Sequence, residues 1–328
     1  MKIPISVLDL AIVTEGGTAA TAIAATVEVA KHVESLGYTR LWLAEHHNME
    51  HIASSATSVL IGHVADKTSR IRVGSGGIML PNHTPLVIAE QFGTLETMYP
   101  GRIDLGLGRA PGTDQATAMA LRRNNLNSQY SFPTDIKELQ SFFSSRNSGS
   151  RVRAFPGEGL DIPIWVLGSS TDSAYLAAQM GLPYAFAAHF APAQFRSAIA
   201  IYRQQFKPSH QLQSPYVMAC VNVMAADTDE EAELLATSLY RMFIGILTNT
   251  RTPLRPPAPL PPGFWTPEVK HALDSMTSCT FTGGVESLRE KLSVFIAETG
   301  IDELMVTSHI YDVDARLKSF SLLQQAMQ

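Results

Sequence analysis

The sequence predicts an α/β protein with the (β/α)8 TIM barrel architecture. Short, nearly all-apolar segments alternate with longer amphipathic segments, and turns of Gly or polar residues separate them. Eight of the short segments have the composition of strands, and helices separate nearly all of them, which is the chain order of parallel strands. A closed barrel suits this pattern better than an open doubly wound sheet, because closure leaves no edge strand.

The first four strands and three helices follow one another without interruption. Strands are predicted at residues 3–10, 41–44, 71–77 and 103–107, and helices at 18–37, 53–66 and 84–99. Gly37 ends the first helix in the position that a C-terminal cap prefers. Thr84 and Pro85 begin the third helix as its N-cap and its first helical residue.

Two insertions interrupt the pattern beyond Arg109, one after strand four and one after strand seven. Residues 120–160 are rich in Asn, Ser and Arg and hold one short helix near 135–143, and residues 251–267 contain seven prolines, which suit a loop or lid. Strands are predicted at 163–167, 184–187, 216–224 and 303–307. Helices are predicted at 171–180, at 193–206, around 288–296 and around 317–323. A further helix is predicted to follow the capping box at 228–231.

The composition excludes several classes of protein. A hydrophobic fraction of 45% over 328 residues supports one large core, and we expect a single domain over residues 1–328. A formal charge of −5 argues against nucleic-acid binding. Cys220 and Cys279 cannot form a disulfide framework or a structural zinc site, so a reducing cytoplasm is expected. No signal segment and no membrane span are predicted.

The barrel places function at the carboxyl ends of the strands, so the polar residues there are the candidates. Strand two ends in Glu45-His46-His47-Asn48, with His51 close behind. Strand geometry directs Glu45 and His47 to one face and His46 to the other, which disfavours chelation of one metal ion by both histidines. His46 at the barrel mouth is placed to donate or accept a proton, although a structural histidine is the alternative.

Strands three and four end in glycine-rich runs. Gly74, Gly76 and Gly77 permit a flat group to lie on the backbone or an unusual peptide geometry, and a flexible turn is the alternative. The run from Gly106 to Gly112 fails the dinucleotide fingerprint by one residue and lacks its acidic partner. Arg109 would be a costly charge at the mouth unless it meets an anion.

Strand five ends in Gly168-Ser169-Ser170, and a helix containing Ser173 starts at once. Hydroxyls and free N–H groups at a helix N-terminus form a phosphate cradle, and simple N-capping by serine competes with this interpretation. No Gly-Lys-Ser/Thr follows, and no Gly-x-Ser-x-Gly elbow occurs, so a triphosphate loop and a serine hydrolase are both rejected.

With these residues in place, the sequence resembles the bacterial luciferase-like family of flavin-dependent monooxygenases over almost the whole chain. The resemblance is carried by residues 41–47, 74–81 and 100–109, together with the serines after strand five. It implies a barrel, commonly a homodimer, that binds FMN non-covalently and oxygenates a small organic substrate with reduced FMN and O2.

The resemblance also implies roles for individual residues. The flavin ring would rest on Gly76 and Gly77, often over a non-proline cis peptide, and His46 would be the acid/base near the reactive flavin carbon. The phosphate would be held by Arg109, Ser170 and Ser173, with Ser169 in the same run.

The sequence departs from the luciferase itself at Gly108, where the luciferase has Cys, so nothing supports light emission. No second dinucleotide motif occurs, and a separate reductase is therefore expected to supply reduced FMN. Two other functions stay open: a flavin-binding barrel without turnover, and a metal-dependent hydrolase that uses His46, His47 and His51.

Overall fold

The computed structural model describes residues 3–122, 128–261 and 263–328, which form parallel strands with helices between them. The strands are β1 (Ile5–Asp9), β2 (Arg40–Leu43), β3 (Arg72–Met79), β4 (Ile103–Gly108), β5 (Ile164–Gly168), β6 (Tyr184–Ala187), β7 (Val217–Ala225), β8 (Thr280–Gly283) and β9 (Glu303–Thr307). The helices are α1 (Ala19–Ser35), α2 (Thr57–Asp66), α3 (Pro85–Met98), α4 (Gln115–Arg122), α5 (Ser128–Phe143), α6 (Thr171–Met180), α7 (Phe195–Gln205), α8 (Asp229–Leu247), α9 (Pro267–Thr277), α10 (Val285–Thr299) and α11 (Val313–Ala326).

Eight of the strands close into a barrel, in the order β1-β2-β3-β4-β5-β6-β7-β9, and β9 pairs back to β1. All of these pairings are parallel, which confirms the predicted (β/α)8 fold with insertions after β4 and β7. The strand β8 was not predicted. It extends from β7 alone: Met218–Asn222 of β7 pair with β9, whereas Asn222–Ala225 pair with β8.

The predicted start of the second helix at Ala53 is wrong, because α2 begins at Thr57. The segment that precedes α2 instead forms hydrogen bonds with the chain at the carboxyl ends of β1 and β2. The Ala53 N–H donates to the Ala11 carbonyl at 2.9 Å, and the hydroxyls of Ser54 and Thr57 both donate to the Ala44 carbonyl. The helix near 135–143 is also longer than predicted, because α5 begins at Ser128.

Inward-facing side chains fill the barrel in layers, as in other barrels of this class. At the amino ends of the strands lies a buried ion network. Arg40 donates to Asp104 at 2.7 Å and to Glu303 at 2.8 Å, and Arg72 donates to Asp104 at 2.6 Å. Above it lies an apolar layer that contains Leu8, Trp42, Ala44, Trp165, Ala185, Met218, Cys220 and Met305. The third layer, at the carboxyl ends, is polar and forms the candidate site.

None of the helices in the described ranges combines the length and the apolar character that crossing a bilayer requires. Cys220 and Cys279 are both buried free thiols.

Candidate functional site

His46 lies at the carboxyl end of β2, on the inward-facing side of the barrel. The inward residues of this strand alternate as Arg40, Trp42 and Ala44, and His46 continues the same alternation. Its Nδ1 is buried and has no hydrogen-bond partner within the described residues. Burial lowers the pKa of His46 to about 4, against the opposing effect of Glu45, so the imidazole is neutral at pH 7.

Glu45 points away from His46 and holds the mouth loops together. Its fully buried carboxylate accepts hydrogen bonds from His47 at 2.8 Å, from His83 at 2.9 Å and from the Met79 N–H at 2.9 Å. The predicted pairing of Glu45 and His47 on one face is thus confirmed. Burial alone would raise the pKa of Glu45, but the hydrogen bonds from the two histidines lower it to about 2.

We expect Glu45→Gln to change the acid sensitivity of the fold. A carboxylate whose pKa falls on folding stabilises the protein above its ordinary pKa, and this stability is lost as the pH falls towards about 2. Wild type should therefore exceed Glu45→Gln by about 3 kcal/mol at pH 6, and the difference should vanish near pH 2. Urea unfolding across this range measures it.

The matched control for that experiment is Glu290→Gln on the exposed side of α10, which should leave the pH dependence unchanged. A wild-type advantage over Glu45→Gln that stays constant with pH would show that the carboxylate charge is not what Glu45 contributes.

Gly76 and Gly77 lie within β3 and are joined by a cis peptide bond. The alternative prediction of a flexible turn is wrong, because pairing with β4 continues through Gly76↔Gly106 and, after a bulge, Ile78↔Leu107. A Cβ on Gly76 would lie 2.6 Å from Leu8 Cδ1, and one on Gly77 would lie 2.7 Å from the Gly106 carbonyl oxygen. The backbone of the neighbouring strand therefore requires glycine at position 77, whereas a Cβ at position 76 would meet the movable end of the Leu8 side chain.

Arg109 follows β4 directly. The sequence predicts a costly charge at this position, and the structure differs from that prediction. The side chain is 51% exposed, so its charge is solvated. Its Nη2 lies 3.8 Å from Oδ2 of Asp172, which is in the first turn of α6. The structure therefore brings Arg109 beside the N-terminus of the helix that carries the predicted phosphate-binding serines.

The serines after β5 make local hydrogen bonds. Ser170 is the N-cap of α6, and its hydroxyl accepts from the Ser173 N–H at 3.4 Å. The Ser173 hydroxyl donates to the Ser170 carbonyl at 2.7 Å and lies 2.9 Å from the Tyr184 hydroxyl. Ser169 precedes them on the inward-facing side of β5, in alternation with Trp165. N-capping is thus present in the structure, and the positive end of the helix dipole remains at this corner.

These residues fit a phosphate-bearing flavin. A guanidinium and a helix N-terminus that carries three serines lie at the β4–β5 corner, and a cation beside the positive end of a helix dipole attracts an anion. The orphaned Nδ1 of His46 marks a polar position at the barrel mouth that a ligand can satisfy. Asp172 is the exception, since its carboxylate lies beside Arg109 and opposes a bound anion.

Sequence reasoning missed three other polar residues of this layer. His189 follows β6, Asn222 lies in β7 and His309 follows β9. Each continues the inward-facing alternation of its strand, from Ala185, Cys220 and Met305 respectively. That period of two was the signal that could have found them. In the described ranges, no three His, Cys, Asp or Glu side chains are arranged to hold a metal ion.

Known proteins match this chain along nearly its whole length. The family model described as luciferase-like monooxygenase matches residues 3–303. A luciferase-like monooxygenase of Escherichia coli (strain K12) is 50% identical over 320 residues, which cover 98% of this chain and 96% of the relative. The uncharacterized protein YvbT of Bacillus subtilis (strain 168) is 53% identical over 320 residues, 97% of this chain and 95% of the relative.

Solved structures agree on the fold. The crystal structure of apo-MsnO8 superposes with a TM-score of 0.90 at 34% identity and covers 99% of this chain and 98% of that chain. The oxygenating constituent of 3,6-diketocamphane monooxygenase of Pseudomonas putida, in complex with FMN, has a TM-score of 0.75 at 17% identity, with 99% and 97% covered. An F420-dependent secondary alcohol dehydrogenase has a TM-score of 0.72 at 16% identity, with 100% of both chains covered. At these lower identities the likeness concerns the fold alone.

Proposed function

This chain belongs to the luciferase-like monooxygenase family, and on that premise we propose that it is an FMN-dependent monooxygenase that uses reduced FMN and O2 to oxygenate a small organic substrate. One observation carries the choice of FMN: Arg109 lies beside the N-terminus of α6, where a phosphate monoester meets a cation and a helix dipole together.

The residues that would hold FMN lie on β3, β4 and β5. Arg109, Ser169, Ser170 and Ser173 would bind its phosphate, and the Gly76–Gly77 segment would lie under its ring. FMN, when bound, supplies the redox chemistry that activates O2. The protein's own groups would position the substrate, exclude water and move a proton at His46, whose neutral imidazole can accept one at pH 7.

We further propose that reduced FMN comes from a separate reductase and that the enzyme acts as a homodimer in the cytoplasm. The first proposal is supported by the absence of a second dinucleotide motif from the sequence. The other two follow the family and the low cysteine content.

The cofactor and the reaction are tested on the purified protein. Titration with FMN and, separately, with F420 identifies the cofactor by its quenched fluorescence, and we expect binding of FMN. The reduced FMN complex is then mixed rapidly with O2 and a panel of aldehydes, alkanes and thioethers. An oxygenated product supports the proposal. Binding of FMN with fast reoxidation and no product from the panel supports a flavin-binding protein without turnover, and binding of F420 alone refutes the cofactor.

Arg109→Ala is expected to raise the FMN dissociation constant about ten- to a hundredfold. The substitution removes a charge-assisted contact with the phosphate, worth about 1.5–3 kcal/mol. Riboflavin lacks the phosphate and should bind the variant and the wild type equally well. Fluorescence titration with both flavins measures these constants, and equal weakening of FMN and riboflavin would show general damage to the site.

Asp172→Asn is the matched control, because it changes the partner of Arg109 and leaves the guanidinium in place. It should tighten FMN binding about two- to fivefold, since the pair is exposed and the repulsion of the phosphate is screened. A weakening of FMN binding by Asp172→Asn would place the phosphate elsewhere.

A further inference from the structure

A group of polar side chains on the β6–β7–β9 side of the barrel has no role in the function proposed above. His189, Asn222 and His309 stand at the carboxyl-end level of three neighbouring strands. Strand register fixes their proximity: Asn222 pairs with Thr307 of β9, two residues before His309, and the Asn222 side chain donates to the His189 carbonyl at 2.6 Å. We call these three residues the polar subsite.

The polar subsite contains hydrogen-bonding atoms that the described part of the chain leaves unpaired. They are Oδ1 of Asn222, Nδ1 of His189 and Nδ1 of His309. Asn222 is fully buried and His309 is 3% exposed. Buried polar atoms in folded proteins almost always have a hydrogen-bond partner. Several such atoms without a partner in one layer therefore indicate a ligand or ordered water.

The orientation of the Asn222 amide is fixed by its nitrogen. The Nδ2 group donates to the His189 carbonyl at 2.6 Å and lies 3.1 Å from the Thr280 hydroxyl. Because a backbone carbonyl can only accept, the amide cannot be turned over, and Oδ1 is presented as a bare acceptor. A matching ligand must therefore carry an N–H or O–H donor.

The surroundings of the subsite are uncharged. Burial lowers the pKa of both His189 and His309 to about 3, so both imidazoles are neutral at pH 7. Among the described residues, the charged groups nearby are Arg316, beside His309, and Asp9, which accepts from Arg316 at 3.0 Å. Since these two are paired with each other, neither an ammonium nor a carboxylate finds an opposite charge here.

Asn222 and His309 lie away from the residues that would hold the FMN ring, whereas His189 follows β6, the neighbour of β5. Around the barrel, β7 is four strands from β3, and the phosphate corner is on β4 and β5. His46, at the carboxyl end of β2, continues the inward-facing alternation of its strand and so faces the same interior. A molecule seated on the subsite would thus lie across the mouth from the flavin ring.

We propose that His189, Asn222 and His309 bind the substrate through an uncharged polar group that donates a hydrogen bond to Oδ1 of Asn222, such as a primary amide or a hydroxyl. This proposal rests on the proposed function, since it assigns the substrate of that same site. The imide edge of a flavin has the same hydrogen-bonding chemistry, and the experiment separates the two sources.

The probes are hexanamide and heptan-2-one, which differ only in an NH2 in place of a CH3. Calorimetric titration of the FMN-loaded enzyme should give a dissociation constant about tenfold lower for hexanamide, because heptan-2-one leaves the Asn222 acceptor unpaired. In Asn222→Leu the two constants should come within about threefold of each other, with FMN affinity unchanged. Asn147→Leu, at a buried asparagine in the segment between α5 and β5, is the matched control and should keep the wild-type preference.

Several outcomes would overturn the proposal. Equal affinities in the wild type, or failure of both probes to bind, would leave ordered water as the occupant. Weakened FMN binding in Asn222→Leu with the probe preference retained would assign the subsite to the flavin edge. The wild-type comparison stands even if Asn222→Leu does not fold, and His309→Leu then serves as the second variant. If FMN does not bind at all, the same titration of the flavin-free protein still tests the subsite.

Discussion

Replacement of His46 by asparagine is expected to lower kcat by about a hundred- to ten-thousandfold, the range typical of a lost general acid or base. The imidazole lies on the inward side at the carboxyl end of β2, its Nδ1 is buried and free of partners in the described structure, and its neutral form predominates at pH 7. Asparagine retains a polar group of smaller size but cannot accept a proton. FMN affinity should change by less than about threefold, because no phosphate contact is lost.

The measurement is turnover of whichever substrate the oxygenation panel identifies, together with an FMN titration of the variant. His63→Asn, on the exposed side of α2, is the matched control and should retain full turnover. In the wild type, kcat/KM should fall as the pH drops through about 4, because protonation removes the base. This acid limb should be absent from the residual activity of His46→Asn, and an unchanged kcat would exclude His46 from proton transfer.

Most of the barrel could be predicted because its strands are short apolar runs between amphipathic helices. All eight predicted segments begin and end within two residues of the observed barrel strands. The strand β8 was not predicted because it has only four residues, Thr-Phe-Thr-Gly, and pairs with one half of β7. The start of α2 was misplaced because local composition does not reveal that Ser54 and Thr57 bond to a carbonyl at the end of β2.

In the candidate site, the sequence predicts those side-chain directions that follow from strand alternation alone. Alternation separated His46 from the Glu45–His47 pair, and the structure agrees. The exposure of Arg109 could not be read from the sequence, because it depends on how far the loop after β4 lies from the barrel axis. Asn222 was hidden inside an apolar run, and its significance depends on knowing which face of β7 is inward and what its amide nitrogen contacts.

The candidate site and the ion network that stabilises the barrel lie at opposite ends of the strands, and both are formed by inward-facing side chains. On β2, Arg40 stands at the amino end and His46 at the carboxyl end, with the apolar Trp42 and Ala44 between them. The ionic layer therefore lies remote from the polar layer, and an apolar layer separates the two. Substitutions in the ionic layer should change stability without changing flavin binding, which makes the two layers separable by experiment.

Arg40→Met is accordingly expected to destabilise the fold by about 3–5 kcal/mol, the cost of leaving a buried charge without its partner. The Arg40 side chain is 10% exposed, and the Asp104 and Glu303 side chains are fully buried. Asp104 keeps Arg72 as a partner at 2.6 Å, whereas, among the residues that the structure describes, Glu303 keeps only the hydroxyls of Ser6 and Tyr216. Glu303 is therefore the carboxylate that Arg40→Met leaves without an opposite charge.

Urea unfolding of four proteins measures this cost and assigns it. The double variant Arg40→Met/Glu303→Gln should recover a substantial part of the lost stability, since it removes the unpaired charge together with its partner. Arg196→Met is the matched control: its pair with Glu298 is 67% and 51% exposed, so the loss should stay below about 1 kcal/mol. The folded Arg40→Met protein should bind FMN with wild-type affinity. If the double variant is as unstable as Arg40→Met, the cost arises from lost packing of the arginine against Trp42 and Trp165 and not from the charge of Glu303.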